Sequence, residues 1–92
     1  MDTLHSLETP AVVIDLDKLR RNLARAQSAA DAAGLALRPH IKTHKSLRLA
    51  QEQIARGAVG VTCQKLAEAE VMADGGIDDI LLTYNILGAA KL

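Results

Sequence analysis

The 92-residue chain holds a single aromatic side chain, Tyr84, and neither tryptophan nor phenylalanine. That scarcity removes the stacking platforms on which single-stranded nucleic acids are bound, and it leaves the core to Leu, Ile, Val and Ala. One cysteine, Cys63, excludes an internal disulfide framework and fits a reducing compartment. Eleven basic and eleven acidic residues cancel, so no net field draws the chain to nucleic acid or to an anionic membrane. No apolar run approaches the ~20 residues that a membrane helix requires. The stretch Met1-Asp2-Thr3-Leu4-His5 carries neither a basic n-region nor an apolar h-region, which gives the expectation of a cytoplasmic protein without a signal peptide.

What remains is a regular alternation. Ala11-Val12-Val13-Ile14, introduced by Pro10, is a short β-branched run and reads as a strand. Asp15 or Asp17 can cap the helix that follows, because a carboxylate there accepts free N–H groups of the first turn. Leu16, Leu19, Leu23, Ala26, Ala30 and Ala33 recur at helical spacing, and Gly34 follows in a position that favours a left-handed turn. A second unit runs as an extended segment from Leu35 to Ile41, where Pro39 disfavours helix at Arg38. A helix capped by Ser46 comes next, carrying Leu47, Ala50 and Ile54 and ending at Gly57. The third unit is a strand over Val59–Cys63 and a helix from Lys65 to Ala73, closed by Gly75-Gly76. Ile80–Thr83 opens a fourth, and Gly88–Leu92 reads as the start of another helix.

Strands alternating with helices at roughly 25-residue spacing indicate an α/β fold with parallel strands and helical crossovers. The apolar runs Val59–Val61 and Ile80–Leu82 suit a sheet covered on both faces. Pattern alone accommodates either a closed barrel or an open sheet. Three or four parallel strands leave an exposed edge, and a complete eight-unit barrel takes ~250 residues. The expectation is therefore a fragment of a longer protein, with a compact small α/β domain as the alternative.

The chemically richest stretch is Arg38-Pro39-His40-Ile41-Lys42-Thr43-His44-Lys45-Ser46. On an extended backbone Arg38, His40, Lys42 and His44 share one face, with Ile41 and Thr43 on the other. Burying several unpaired cations is costly, so that face is either solvated or occupied by an anion. The stretch spans a strand end and a helix start, where α/β folds of both kinds place ligands and where helix N–H groups attract anions. Schiff-base formation with an aldehyde needs an uncharged amine, which neighbouring cations and desolvation favour. A lysine-centred anion or Schiff-base site and a solvated edge both remain open on this ground. A zinc site on His40 and His44 has the i, i+4 spacing of helical pairs, but Ile41 stands where such motifs carry a glutamate and Pro39 argues for extension.

Thr9-Pro10-Ala11-Val12-Val13-Ile14-Asp15 and Arg38-Pro39-His40-Ile41-Lys42-Thr43-His44-Lys45 together resemble the D-threonine aldolase and D-serine dehydratase family. The run Thr62–Glu70 and the segment Asp79–Leu82 match it as well, so the likeness extends from Leu7 onward. Members are fold-type III enzymes dependent on pyridoxal 5′-phosphate (PLP), built on a (β/α)8 TIM-type barrel of the alanine racemase type. The resemblance implies that residues 1–92 are a partial PLP-binding barrel domain, the N-terminal portion of that barrel. It would comprise the initial strand and helix and then about three β/α units, with a C-terminal β domain absent. It implies that Lys42 condenses with the cofactor aldehyde at the end of the first barrel strand, Leu35–Ile41. Ala11–Ile14 would pack with the β domain rather than join the barrel. Lys45, at the helix start, is the rival lysine and suits an anion contact better.

The implied chemistry is that of a PLP-dependent lyase. The substrate amine displaces Lys42, and the cofactor ring withdraws electrons from the Cα bonds. An aldolase then cleaves Cα–Cβ of a D-β-hydroxy amino acid to glycine and an aldehyde, whereas a dehydratase eliminates the β substituent to leave a keto acid and ammonia. D-Threonine aldolase is the preferred member, with D-serine dehydratase as the alternative. The family also implies a divalent metal whose ligands lie in the C-terminal part, and a homodimer. Cofactor contacts are expected from His40 and His44, each as readily an orienting group as a proton carrier. Gln64 is a further candidate, or simply a helix cap; Tyr84 is another, or simply packed with its hydroxyl outward. Cys63 reads as a small buried hydrophobe. A non-catalytic PLP-binding barrel and a basic-site binding domain without PLP are the competing classes.

Overall fold

The computed structural model describes residues 3–92. The main elements are α1 (Leu16–Ala32), α2 (Leu47–Ala55), β1 (Val61–Cys63), α3 (Leu66–Asp74) and β2 (Ile80–Leu82), with single 3-10 turns at Leu4–Ser6 and Ala89–Lys91. The helix expected after Gly88 is thus one 3-10 turn. Ala11–Ile14 has no ladder partner among the described residues, and Val12 is 96% exposed. A β-branched run adopts an extended conformation readily but becomes a strand only when a neighbour satisfies its backbone groups.

The helix boundaries follow local chemistry. Asp15 caps α1 by accepting the Lys18 N–H at 3.1 Å, and Ser46 caps α2 by accepting the Leu49 N–H at 3.2 Å. Gly34, with φ of 69°, follows the Ala33 C-cap of α1. The expected apolar stripe of α1 is narrower than its spacing suggests. Leu16, Ala26 and Ala33 are exposed, and the only buried side chain of the helix is Gln27. Its amide lies against Gly57 and donates to Asp31 Oδ1 at 2.9 Å.

β1 and β2 pair in parallel, with Val61, Thr62 and Cys63 opposite Ile80, Leu81 and Leu82. Residues 35–41 run along the other side of β1 but register only as one bridge, His40 with Thr62. The flanking bonds are present: the Thr62 N–H donates to Pro39 O at 2.8 Å, and the Ile41 N–H donates to Thr62 O at 2.9 Å. Pro39 explains the brevity. It lacks the N–H that would extend the ladder toward Gly60, and the next bond slips to Val59 N–H on Leu37 O at 2.9 Å.

The pleat gives this three-stranded arrangement two distinct faces. One face carries Ile41, Val61, Cys63, Ile80 and Leu82 against α2 and α3, where Ala50, Met72 and Ile77 complete the buried cluster. Each fully buried side chain of the size of Ile41, Val61 or Met72 contributes about 1.5–3 kcal/mol, so this seam between sheet and helices dominates the stability of the unit. The opposite face carries His40, Thr62 and Leu81 side by side in register. Two residues earlier on the same face come Arg38, Gly60 and Asp79. Arg38 reaches across Gly60 and pairs with Asp79, Nη1 to Oδ1 at 2.7 Å, while also donating to the Asp79 carbonyl at 3.1 Å.

Candidate active site

The C-terminal ends of the strands carry the residues singled out by sequence. Beyond Ile41 the chain leaves the sheet at once. The Lys45 N–H donates to Ile41 O at 2.8 Å, closing a tight turn over 42–44, and Lys45 itself adopts a left-handed φ of 51°. The expected alternation through His44 therefore fails: Arg38 and His40 lie on the free sheet face, whereas Lys42 and His44 belong to the turn. Nor is the face an unbalanced run of cations, because Asp79 neutralises Arg38 and in turn has its carboxyl held below the usual range by the Arg38 hydrogen bond.

Lys42 sits at the first position of the turn, with its side chain exposed. Its backbone N–H donates to His40 Nδ1 at 3.1 Å, so the imidazole braces the start of the turn. His44 is held more firmly. Its Nδ1 accepts the Ser46 N–H at 2.9 Å, and its Nε2 lies 3.2 Å from Gln53 Oε1 on α2. A ring nitrogen that accepts an N–H cannot carry a proton, so Nε2 bears it and donates to Gln53. Both histidines thus orient backbone. The described residues contain no group of three or more His, Cys, Asp or Glu side chains able to hold a metal.

Lys45 reaches α3, where its Nζ lies 3.9 Å from Glu68 Oε2. The anionic group it meets is thus a carboxylate of the chain itself. Glu68 also accepts, through Oε1, the Lys65 N–H at 3.0 Å and the Gln64 N–H at 3.2 Å. The Lys65 N–H, then the Gln64 N–H and the charges of Lys45 and Lys65, hold its carboxyl below the usual range against the opposing effect of burial. Glu68 was not singled out from the sequence. Its signal was available: a glutamate at the third helical position after residue 65 is the acidic half of a capping box.

Gln64 and Tyr84 do come together. They line an open cavity of about 450 Å³, with Leu66, Asn85 and Lys91 among its walls. Lys42, His40 and His44 lie outside that lining. Gln64 and Lys42 nonetheless follow neighbouring extended segments, each two residues past the bridged pair His40 and Thr62. A separate cavity of about 280 Å³ sits at the other end of the sheet, beside Gly60, Gly76 and Asp79. Parallel α/β folds place chemistry at the C-terminal ends of their strands, which favours the Lys42–Gln64–Tyr84 end. Cys63 is fully buried on the helix-facing side; burial, followed by the Glu68 charge, pushes its thiol pKa up. It has no place in this site.

For PLP, the described residues fit one requirement directly: an exposed lysine amine on a braced turn, with no ion pair formed among the described residues.

Comparison with known proteins adds an independent finding. Residues 14–91 match the family model described as alanine racemase, N-terminal domain. The chain is 54% identical over 85 residues to the D-threo-3-hydroxyaspartate dehydratase of Delftia sp. (strain HT23), covering 92% of this chain and 22% of that protein. It is 43% identical over 91 residues to the D-threonine aldolase of Arthrobacter sp, covering 99% of this chain and 24% of that one. The crystal structure of D-threonine aldolase from Filomicrobium marinum superposes with a TM-score of 0.92 at 45% identity, over 96% of this chain and 24% of that structure. The chain therefore spans about a quarter of the length of these relatives.

Proposed function

The chain belongs to the alanine racemase N-terminal domain family, and from that membership we propose that it supplies the lysine-bearing part of a PLP-dependent lyase acting on D-3-hydroxy amino acids. The observation that carries the proposal is the position of Lys42: exposed, at the end of its strand, on a turn closed by Lys45 N–H to Ile41 O and braced by His40. Bound PLP supplies the electron sink that labilises the Cα bonds of an amino acid. Lys42 contributes the amine that holds the cofactor. His40 fixes the Lys42 backbone, and His44, locked between Ser46 and Gln53, fixes the exit of the turn. Gln64 and Tyr84 offer an amide and a phenol to the neighbouring cavity, where they can orient a polar substrate group.

Cleavage to glycine and an aldehyde, as in a D-threonine aldolase, is the preferred reaction. Dehydration is the second reading, favoured by the 54% identity to a D-threo-3-hydroxyaspartate dehydratase. The substrates in both relatives' names carry a hydroxyl at the β carbon of a D-amino acid, so the substrate class is common to the two reactions. A divalent metal beside that hydroxyl takes, in this proposal, no ligand from these residues. The working state is a cytoplasmic homodimer.

The test uses the protein expressed from its entire open reading frame and loaded with PLP. Borohydride reduction followed by peptide mapping is expected to label Lys42, and Lys42→Ala to abolish the visible absorbance of the bound cofactor. Incubation with D-threonine and D-3-hydroxyaspartate, with and without added divalent metal, then distinguishes glycine from keto acid and ammonia. A label on another lysine, or on none, overturns the proposal.

A further inference from the structure

We propose that Glu68 is a positioning residue that ties the Lys42 turn to the Gln64 loop through its ion pair with Lys45. This rests on the Lys42 reading above and extends it to a residue that never touches the reacting atoms.

The geometry is specific to one carboxylate. Oε1 collects the two backbone N–H groups of Gln64 and Lys65, at 3.2 and 3.0 Å, fixing the loop that leaves β1. Oε2 faces Lys45 Nζ at 3.9 Å, at the closing residue of the turn that carries Lys42. The Lys45 stem and Glu68 line a mostly apolar recess with Ile41, Ala67, Val71 and Met72, and the Glu68 side chain is only 12% exposed. The Lys45 side chain is 60% exposed, so the pair is open to solvent on its cationic side and weakens with salt. Lys45 also holds a left-handed backbone that a residue with a Cβ adopts only at a cost. That conformation aims its side chain at α3. Two adjacent strand-end loops, one bearing the proposed cofactor lysine and the other a proposed pocket residue, are thereby referred to a single side chain.

Two charge-removing substitutions separate this tie from the helix cap. Glu68→Gln keeps an oxygen that can still accept from Gln64 and Lys65 but loses the charge facing Lys45. Lys45→Met removes the cation and leaves the cap intact; Lys45→Arg keeps the cation. In the full-length, PLP-loaded protein the readouts are the PLP dissociation constant, the circular dichroism of the cofactor's visible band, and the thermal midpoint of the cofactor-free form. The tie predicts that Glu68→Gln and Lys45→Met each weaken PLP binding by about twofold to fivefold, the lower end of the range of contacting-pair couplings. It also predicts that each alters the visible circular dichroism, that the double variant is no worse than either single one, and that Lys45→Arg restores both signals.

Unchanged binding in Glu68→Gln overturns the inference, as do losses that simply add in the double variant. So does a loss that Lys45→Arg fails to restore while the cofactor-free midpoint falls in parallel. Borohydride mapping of the parent protein separates the two proposals. A label away from Lys42 refutes the functional reading, whereas a label on Lys42 with unperturbed variants refutes the positioning role alone.

Discussion

Replacing Gly60 by alanine is expected to be the most damaging small substitution in the unit. A Cβ at that position would overlap the Asp79 carbonyl oxygen and stand 2.5 Å from Arg38 Nη1 and 2.9 Å from Asp79 Cβ. The guanidinium can swing away, but the carbonyl cannot do so freely, because it accepts the Val61 N–H at 3.0 Å in the approach to β1 and β2. Overpacking of this kind costs ~1–3 kcal/mol, and displacing the carbonyl weakens a backbone hydrogen bond with a net value of ~1 kcal/mol. The expected destabilisation is about 2–4 kcal/mol. Urea unfolding of the full-length protein measures it as a fall in midpoint at unchanged slope. Arg38→Ala should not rescue Gly60→Ala, since the backbone obstacle stays in place. A Gly60→Ala variant within about 0.5 kcal/mol of the parent, the range of ordinary surface changes, would refute this account. So would full rescue by Arg38→Ala.

Gly75→Ala is the informative contrast: the atoms nearest its new methyl are Cδ2, Cδ1 and Cγ of the Leu47 side chain and none is backbone, so the cost should stay toward the lower end of ~1–3 kcal/mol and below that of Gly60→Ala in the same assay. For pH, the Glu68 carboxyl has a lowered folded pKa, so its stabilisation is complete above the ordinary carboxylate range and fades as acid carries the pH through the folded value. Urea midpoints taken between about pH 6 and pH 3 should fall less steeply for Glu68→Gln than for the parent, and identical slopes would contradict the assignment. Cys63, fully buried and with a raised pKa, should be alkylated by iodoacetamide only as fast as the protein opens; rapid labelling of the native form at neutral pH would show that the β1 seam is not closed. Gln53→Met removes the acceptor for His44 Nε2 and should cost ~1 kcal/mol, read by the same unfolding assay.

Much of the architecture was written in local signals. Asp15, Ser46 and Gly34 mark helix ends through side-chain oxygens and backbone freedom that act within a few residues, and each does so in the structure. The parallel pairing of β1 and β2 followed from apolar runs separated by a helix. What the sequence did not disclose depends on distant partners. Nothing near Arg38 announces that it crosses Gly60 to reach Asp79, 41 residues away. The same limit hid the turn at Lys42. Alternation along 38–44 presumes that the strand continues, and it stops because Lys45 folds back on Ile41. Lys42, His40 and His44 were legible as chemistry-bearing types from their motif, whereas the bracing functions of the two imidazoles required coordinates. Gln64 and Tyr84 each follow a strand in sequence; their shared cavity is a consequence of register between those strands.

The left-handed backbone at Lys45 sets two selection pressures against each other. Glycine at residue 45 would relieve a conformational cost of ~1–2 kcal/mol and would delete the ammonium that faces Glu68. A library sorted only for expression or thermal resistance should therefore drift to glycine there, while one sorted for cofactor retention should keep a long cation. Sequencing both pools would turn one torsion angle into a readout of what this turn was selected to do.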